Sequence, residues 1–252
     1  MTQPCRLEYR GFHQLELVRH GGAEIRIGGR LRVLQEPPPN VASRPPVDTV
    51  QYVYATWDER RERVKLTAST TGHETLAGEE VMRGEPSALL VGMGRPFENR
   101  PKHYHWADRP EHRTLILSRH NRTRVEWRQR LRADAAVPGG GWREVSPDMS
   151  VSFLVWGGEA AHLEIEGRVR SDAASPLLLG VGLDGAPPES AEVEITPHEA
   201  AQDFRLDFER RFPRDEEGFT PSLYSEKPKT HRGPSSGARR SGIPPQAEEQ
   251  GD

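Results

Sequence analysis

The sequence is short of several things at once. Of its 252 residues one is cysteine, 7% are aromatic and 34% are hydrophobic, and neither sign of charge prevails, with 35 Lys and Arg against 38 Asp and Glu. A single cysteine, Cys5, excludes an intrachain disulfide framework and a cysteine-rich zinc module. No apolar run approaches the roughly 18 residues that a membrane-spanning helix needs. The opening MTQPCRLEYR has no apolar stretch of the secretory kind. The expectation is a chain with no signal peptide and no membrane insertion. A formal net charge of -3 removes the broad positive field with which nucleic-acid binders gather their ligand, so nucleic acid is not an expected partner. The length suffices for a core without staples. The low apolar share fits a thin β-structure with much surface, or a globule carrying a disordered appendage.

What is present is alternation with period two, cut repeatedly by Gly and Pro, which is the pattern of strands and turns. Phe12 to Val18, Ile25 with Ile27, and Leu31 to Leu34 alternate around Gly21-Gly22 and Gly28-Gly29. Val50 to Trp57 and Arg63 to Ser69 read as a hairpin about the charged turn Asp58 to Arg61. Ser87 to Met93 and Arg113 to Ser118 are short apolar runs of the kind buried on both faces, and Gly94 to Glu111 between them reads as a loop. Met149 to Trp156, His162 to Val169, Leu177 to Leu183, Glu192 to Ile195 and Phe204 to Phe208 continue the series. Pro197 to Arg211 leaves strand and short helix both open. The last 27 residues hold eight Gly or Pro and three apolar residues, too few to offset chain entropy. The expected fold is all-β, an antiparallel β-sandwich of jelly-roll-like kind. It would consist of a module over 1–120, a second sandwich module over 121–225 and a disordered tail over 226–252.

The densest chemical cluster is His103-Tyr104-His105-Trp106, followed by Asp108, Glu111 and His112. His-x-His on a strand puts two imidazoles on one face, as some β-barrel metal sites do, so a metal-dependent cupin-like barrel using His103 and His105 is one reading. The nearest preceding glycine, Gly94, is too far away for the cupin pattern and no second motif follows. A solvated loop that packs locally or meets a partner is the favoured alternative. No Ser elbow, paired Cys and His, or Walker loop occurs, and the residues call for no cofactor. Gly180-x-Gly182-x-x-Gly185 superficially resembles a dinucleotide loop, but Pro187-Pro188 stands where a helix should open, so a strand ending in a tight turn is expected. Arg119 to Arg132 holds seven basic residues, with arginines 122, 124, 128, 130 and 132 on one parity. They read either as a polyanion-binding stripe or, preferably, as a charged edge that blocks pairing.

The order of these strands adds a further signal. VQYVYATW, then a strand running into Thr70-Thr71-Gly72-His73, then Leu90-Val91-Gly92-Met93, then Ser118 to Arg122 resembles a module of structural proteins of tailed bacteriophages, prophages and gene transfer agents. SVSFLVWGGEAAHLEIEGRV followed by GVGLDG resembles the companion segment, and together they cover roughly Gly29 to Glu217. The resemblance implies a non-enzymatic virion protein of tail-fibre, baseplate or head-spike type. Such a protein would be assembled in the host cytoplasm, contact other virion proteins and form a homo-oligomer, as in trimeric fibres. Its task would be attachment to a host-surface polysaccharide or to a neighbouring virion protein; a ligand-free assembly protein is the third reading. Glycan binding asks for aromatic faces beside polar groups. Tyr104, His105, Trp106 and Asp108 in one loop, and Trp142 with Arg143 in another, are the candidates.

Overall fold

The computed structural model describes residues 3–10, 14–42, 49–100, 103–105, 108–109, 113–122, 141–147, 150, 152–171, 176–189, 191–196, 198–212, 217–219 and 221–226. Among these, 23 strands and no α-helix form, numbered β1 to β23 along the chain. The all-β antiparallel sandwich expected from the alternation is the architecture found, built of several open sheets with no closed barrel among the described strands.

A six-stranded sheet lies at the centre of the first half. It contains β6 (Gln51–Asp58), β7 (Arg63–Ser69), β8 (His73–Leu76), β9 (Glu79–Met82) and β10 (Glu85–Gly94) in the order β7-β6-β10-β9-β8, with β15 (Ile116–Ser118) on the end of β10. The β6–β7 hairpin pairs Tyr52 with Ser69 through to Asp58 with Arg63. Its turn is closed by Asp58, whose Oδ1 accepts the N–H groups of Arg60 at 3.0 Å and Arg61 at 3.2 Å, a local bond that Asp makes readily. Tyr52 and Tyr54 point to one side of the sheet, Val53 and Ala55 to the other. In β10 the pairing slips between Leu90 and Gly92. That bulge moves Met93 onto the Tyr52 side with Leu90, while Leu89 and Val91 stay on the Val53 side. One short run therefore supplies two cores.

The Val53 side is covered by β1 (Cys5–Tyr9), β2 (Gln14–Arg19) and β5 (Asn40–Ala42), joined in the order β1-β2-β5, and by the hairpin of β3 (Glu24–Ile27) and β4 (Arg30–Val33). Cys5, Leu7, Leu15, Leu17, Ile25 and Ile27 form the contacting face. The layers meet so closely at Gly92 that a Cβ there would lie 2.6 Å from Leu7 Cδ2 and 2.8 Å from the Leu117 carbonyl oxygen, so only glycine fits.

The Tyr52 side is covered from later in the chain. Leu154 of β17 (Ser152–Val155) and the following Trp156 pack on Tyr52, Tyr54, Leu90 and Met93. Strand β17 runs parallel to β14 (Arg113–Thr114) and antiparallel to β22 (Glu217–Phe219), with β13 (Asp108–Arg109) beyond β14.

In the second half, β16 (Arg143–Glu144), β19 (Leu177–Leu183), β20 (Val193–Ile195) and β23 (Pro221–Glu226) form a sheet ordered β16-β23-β19-β20. A long ribbon of β18 (Ala160–Ser171) and β21 (His198–Arg211) packs Ile165 and Leu206, flanked by Leu163, Phe204 and Phe208, against Leu177, Leu179, Val181 and Leu223. Its outer face alternates charge, as in Arg168 with Asp203 at 2.7 Å and Arg205 with Glu164 at 3.0 Å. Exposed pairs of this kind are screened by solvent and add little to stability.

Several expectations change in detail. Gly94 to Glu111 is not one loop, because β11 (Phe97–Arg100) pairs with β12 (His103–His105) and β13 follows. Of Pro197 to Arg211 the described part, His198–Arg211, is strand, since every second residue from Gln202 to Phe208 packs inward on the sheet. The Gly180 to Gly185 stretch is the expected strand and tight turn, with Asp184 and Gly185 both left-handed at φ 53° and 80°. Strand β23 ends at Glu226, one residue into the segment expected as a tail, and residues 227–252 lie outside the described residues.

Candidate functional site

The motifs singled out in the sequence converge in space. The Trp156 ring is fully buried, and its indole N–H donates to the Ser118 carbonyl at 3.3 Å. His73 stands edge-on to Trp156 and to Tyr52, with ring centroids 6.1 Å and 5.3 Å apart. The Arg119 guanidinium lies over the Trp156 ring, 5.0 Å from its centroid, and pairs tightly with Glu80. Glu80 in turn stands 3.7 Å from His73 Nδ1. Tyr54 donates its hydroxyl to the Thr71 carbonyl at 2.7 Å, and burial pushes its pKa upward. The Tyr52 hydroxyl is buried with no acceptor among the described residues, which costs about 1–3 kcal/mol. Strands β6, β8, β9 and β10, the segment after β15 and the segment after β17 are thereby fastened at one joint.

A second set of bonds ties β1 to the same place. Ser118 Oγ accepts the Leu7 N–H at 3.0 Å and donates to the His120 carbonyl at 2.7 Å. Asn121, left-handed at φ 50°, donates its amide to the carbonyls of Gln3 at 2.6 Å and Cys5 at 2.9 Å. His120 is buried, and its Nδ1 accepts the Gln3 N–H at 3.4 Å. Burial, helped by the Arg119 charge, lowers its pKa to about 4, so it is neutral at pH 7. Of the five arginines on one parity in this stretch only Arg122 is among the described residues. His120 carries no charge, Arg119 is held by Glu80, and Arg122 pairs with Glu159. Residues 123–132 lie outside the described residues.

The two candidate ligand loops lie on separate strands. Tyr104 and His105 sit on β12, opposite Glu98 and Phe97 of β11, and Asp108 sits on β13 opposite Thr114. Trp142 is half-buried just before β16, and Arg143 is exposed on β16 opposite Ser225, in the other half's sheet. Trp106, Glu111 and His112 lie outside the described residues, as do the side chains of His103, Tyr104, His105 and Asp108. Among the described residues no three His, Cys, Asp or Glu side chains gather as a metal site would need. Cys5 is fully buried and burial pushes its thiol up to about 12, so it is no nucleophile at neutral pH.

Sequence reasoning missed an open cleft of about 620 Å³ between β4 and the β6–β7 hairpin. Arg32 lies over Trp57, 4.3 Å from its ring centroid, and pairs with Glu59 at 3.0 Å; Glu59 also accepts the Trp57 indole N–H at 3.1 Å. Arg30, Asp58, Lys65 and Glu85 complete the charged wall, which thus carries three cations and three carboxylates. The signal was available in the alternation of β4, where Arg30 and Arg32 share a parity that could have been tested against the buried isoleucines of β3.

No protein-family model matches the chain, and neither a curated protein nor a solved structure shows significant similarity to it.

Proposed function

We propose that the protein is a non-catalytic structural and adhesive component of a phage-like particle, of tail-fibre, baseplate or head-spike kind. In this reading it attaches to a host-surface polysaccharide or to a neighbouring virion protein. One observation carries the reading. The residues behind the resemblance, Tyr52, Tyr54, His73, Met93, Ser118 and Trp156, meet in a buried joint between layers instead of lining an open pocket. Residues placed so serve to hold a β-scaffold rigid, which is what a particle component exposed to shear requires.

The protein in this reading is made in the host cytoplasm, joins other virion proteins and works as a rotationally symmetric homo-oligomer, for which a trimer is the expectation. Density-gradient fractionation of lysates from producing cells tests the placement. The protein should band with particles, and recovery only among free proteins at the top of the gradient would overturn it. Light scattering at micromolar concentration should give a multiple of the 28.3 kDa chain mass.

A further inference from the structure

We propose that β18 is a self-pairing edge, along which two copies of the chain join antiparallel about a two-fold axis at Gly167. The inference stands on the β18–β21 ribbon alone and goes beyond the adhesive reading.

The edge is open. Among the described residues β18 pairs with β21 and with no other strand. A strand paired on one side presents a row of N–H and C=O groups on the other, and such edges are commonly guarded by proline or by repelling charge. From Ala160 to Ser171 there is no proline, and the exposed charges change sign midway, with Glu164 and Glu166 before Gly167 and Arg168 and Arg170 after it.

That order is self-complementary. Antiparallel pairing about Gly167 sets each residue against the one equally far on the other side of the glycine. Glu166 then meets Arg168 of the second copy, Glu164 meets Arg170, and on the inner face Ile165 meets Val169, each contact made twice by the symmetry. An axis one or two residues to either side fails. On Glu166 or Arg168 it brings that residue against its own copy; on Ile165 it sets Glu164 against Glu166, and on Val169 Arg168 against Arg170.

The neighbouring strand extends the match. Glu166 is registered against Arg205 and Arg168 against Asp203, so the joined ribbons read Arg205, Glu166, Arg168, Asp203 across four strands, with the sign alternating at every step. Within one copy Glu164 is registered against Asp207, a like pair bridged by Arg205 at 3.0 Å and 3.2 Å. Pairing brings a second cation, Arg170 of the other copy, to the open side of Glu164. On the inner face Phe204 lies over Gly167 so closely that a Cβ there would stand 2.6 Å from its Cε1, and the two bare glycines leave the axis free of side chains.

Sedimentation equilibrium of the full chain at micromolar concentration tests this. Wild type should give an even multiple of the 28.3 kDa chain mass. Glu164→Arg with Glu166→Arg makes the row wholly basic, and Arg168→Glu with Arg170→Glu makes it wholly acidic. All four side chains are exposed, so both variants should keep the circular dichroism of wild type. Each alone should halve the mass, and an equimolar mixture should restore it. Glu166→Arg mixed with Arg168→Glu repeats the exchange with one substitution per chain should a double variant misfold. A wild-type mass of one or three chains overturns the proposal, as does a mixture that fails to reassociate. Variants that keep the wild-type mass overturn the β18 contact and leave the particle reading standing. A mass that follows the charges, in a protein that never bands with particles, upholds the contact and overturns that reading.

Discussion

The indole N–H of Trp156 donates to the backbone carbonyl of Ser118, linking two points 38 residues apart in the chain and joining the covering layer to the end of the central sheet. Everything around that bond is arranged to keep it dry, with Arg119 over the ring and His73 at its edge. Trp156→Ala should lose about 3–5 kcal/mol of unfolding free energy, as large aromatic truncations in cores do. Trp156→Phe should lose less, keeping much of the packing and dropping the hydrogen bond. Urea denaturation of both variants checks the order, and equal small losses would place the joint outside the cooperative core.

Tyr52 and Tyr54 lie on the same strand and the same face, yet their hydroxyls differ in environment. Tyr54 has an acceptor in the Thr71 carbonyl, whereas Tyr52 has none among the described residues. Tyr54→Phe should therefore destabilise by about 1 kcal/mol, and Tyr52→Phe should be neutral or stabilising by a similar amount. The denaturant midpoint should fall in Tyr54→Phe and hold or rise in Tyr52→Phe.

Acid should weaken the protein through His120. Its folded pKa of about 4 lies below the ordinary histidine value, so the unfolded chain takes up the proton first as pH falls. The stability conferred by the neutral imidazole is fully present above about pH 6.5 and is lost progressively as pH falls through 4, amounting to about 3 kcal/mol. His120→Gln should remove that part of the pH profile while carboxylate titrations remain. Unfolding curves at pH 7, 5.5 and 4 for both proteins should show a difference that shrinks with acidity.

Cys5 should resist alkylation in the native state, since its thiol is fully buried and held protonated. Labelling with a maleimide should be slow in buffer and complete in denaturant. Rapid native labelling would mean that β1 detaches from the central sheet.

Much of this fold was legible because a strand buried on one face writes itself as alternation. The β6–β7 hairpin and Leu177 to Leu183 are read almost to the residue from that pattern. The short strands β11 to β13 were not, because their His, Pro and charge look like loop chemistry and their pairing is set by partners rather than by propensity. The bulge at Val91 was hidden for a related reason, since a run buried on both sides carries no parity to slip. At the level of the site, composition suggested an aromatic loop around Tyr104. The arginines of β4 looked like ordinary surface until their cross-strand partners, Ile25 and Ile27, were known.

The most direct measurement is binding of the fluorescently labelled full chain to intact bacterial cells, before and after enzymatic stripping of surface polysaccharide. Attachment predicts saturable binding that stripping abolishes. Absence of binding to every cell tested, or binding that stripping leaves unchanged, would contradict a polysaccharide adhesin and shift the protein to an assembly role inside the particle.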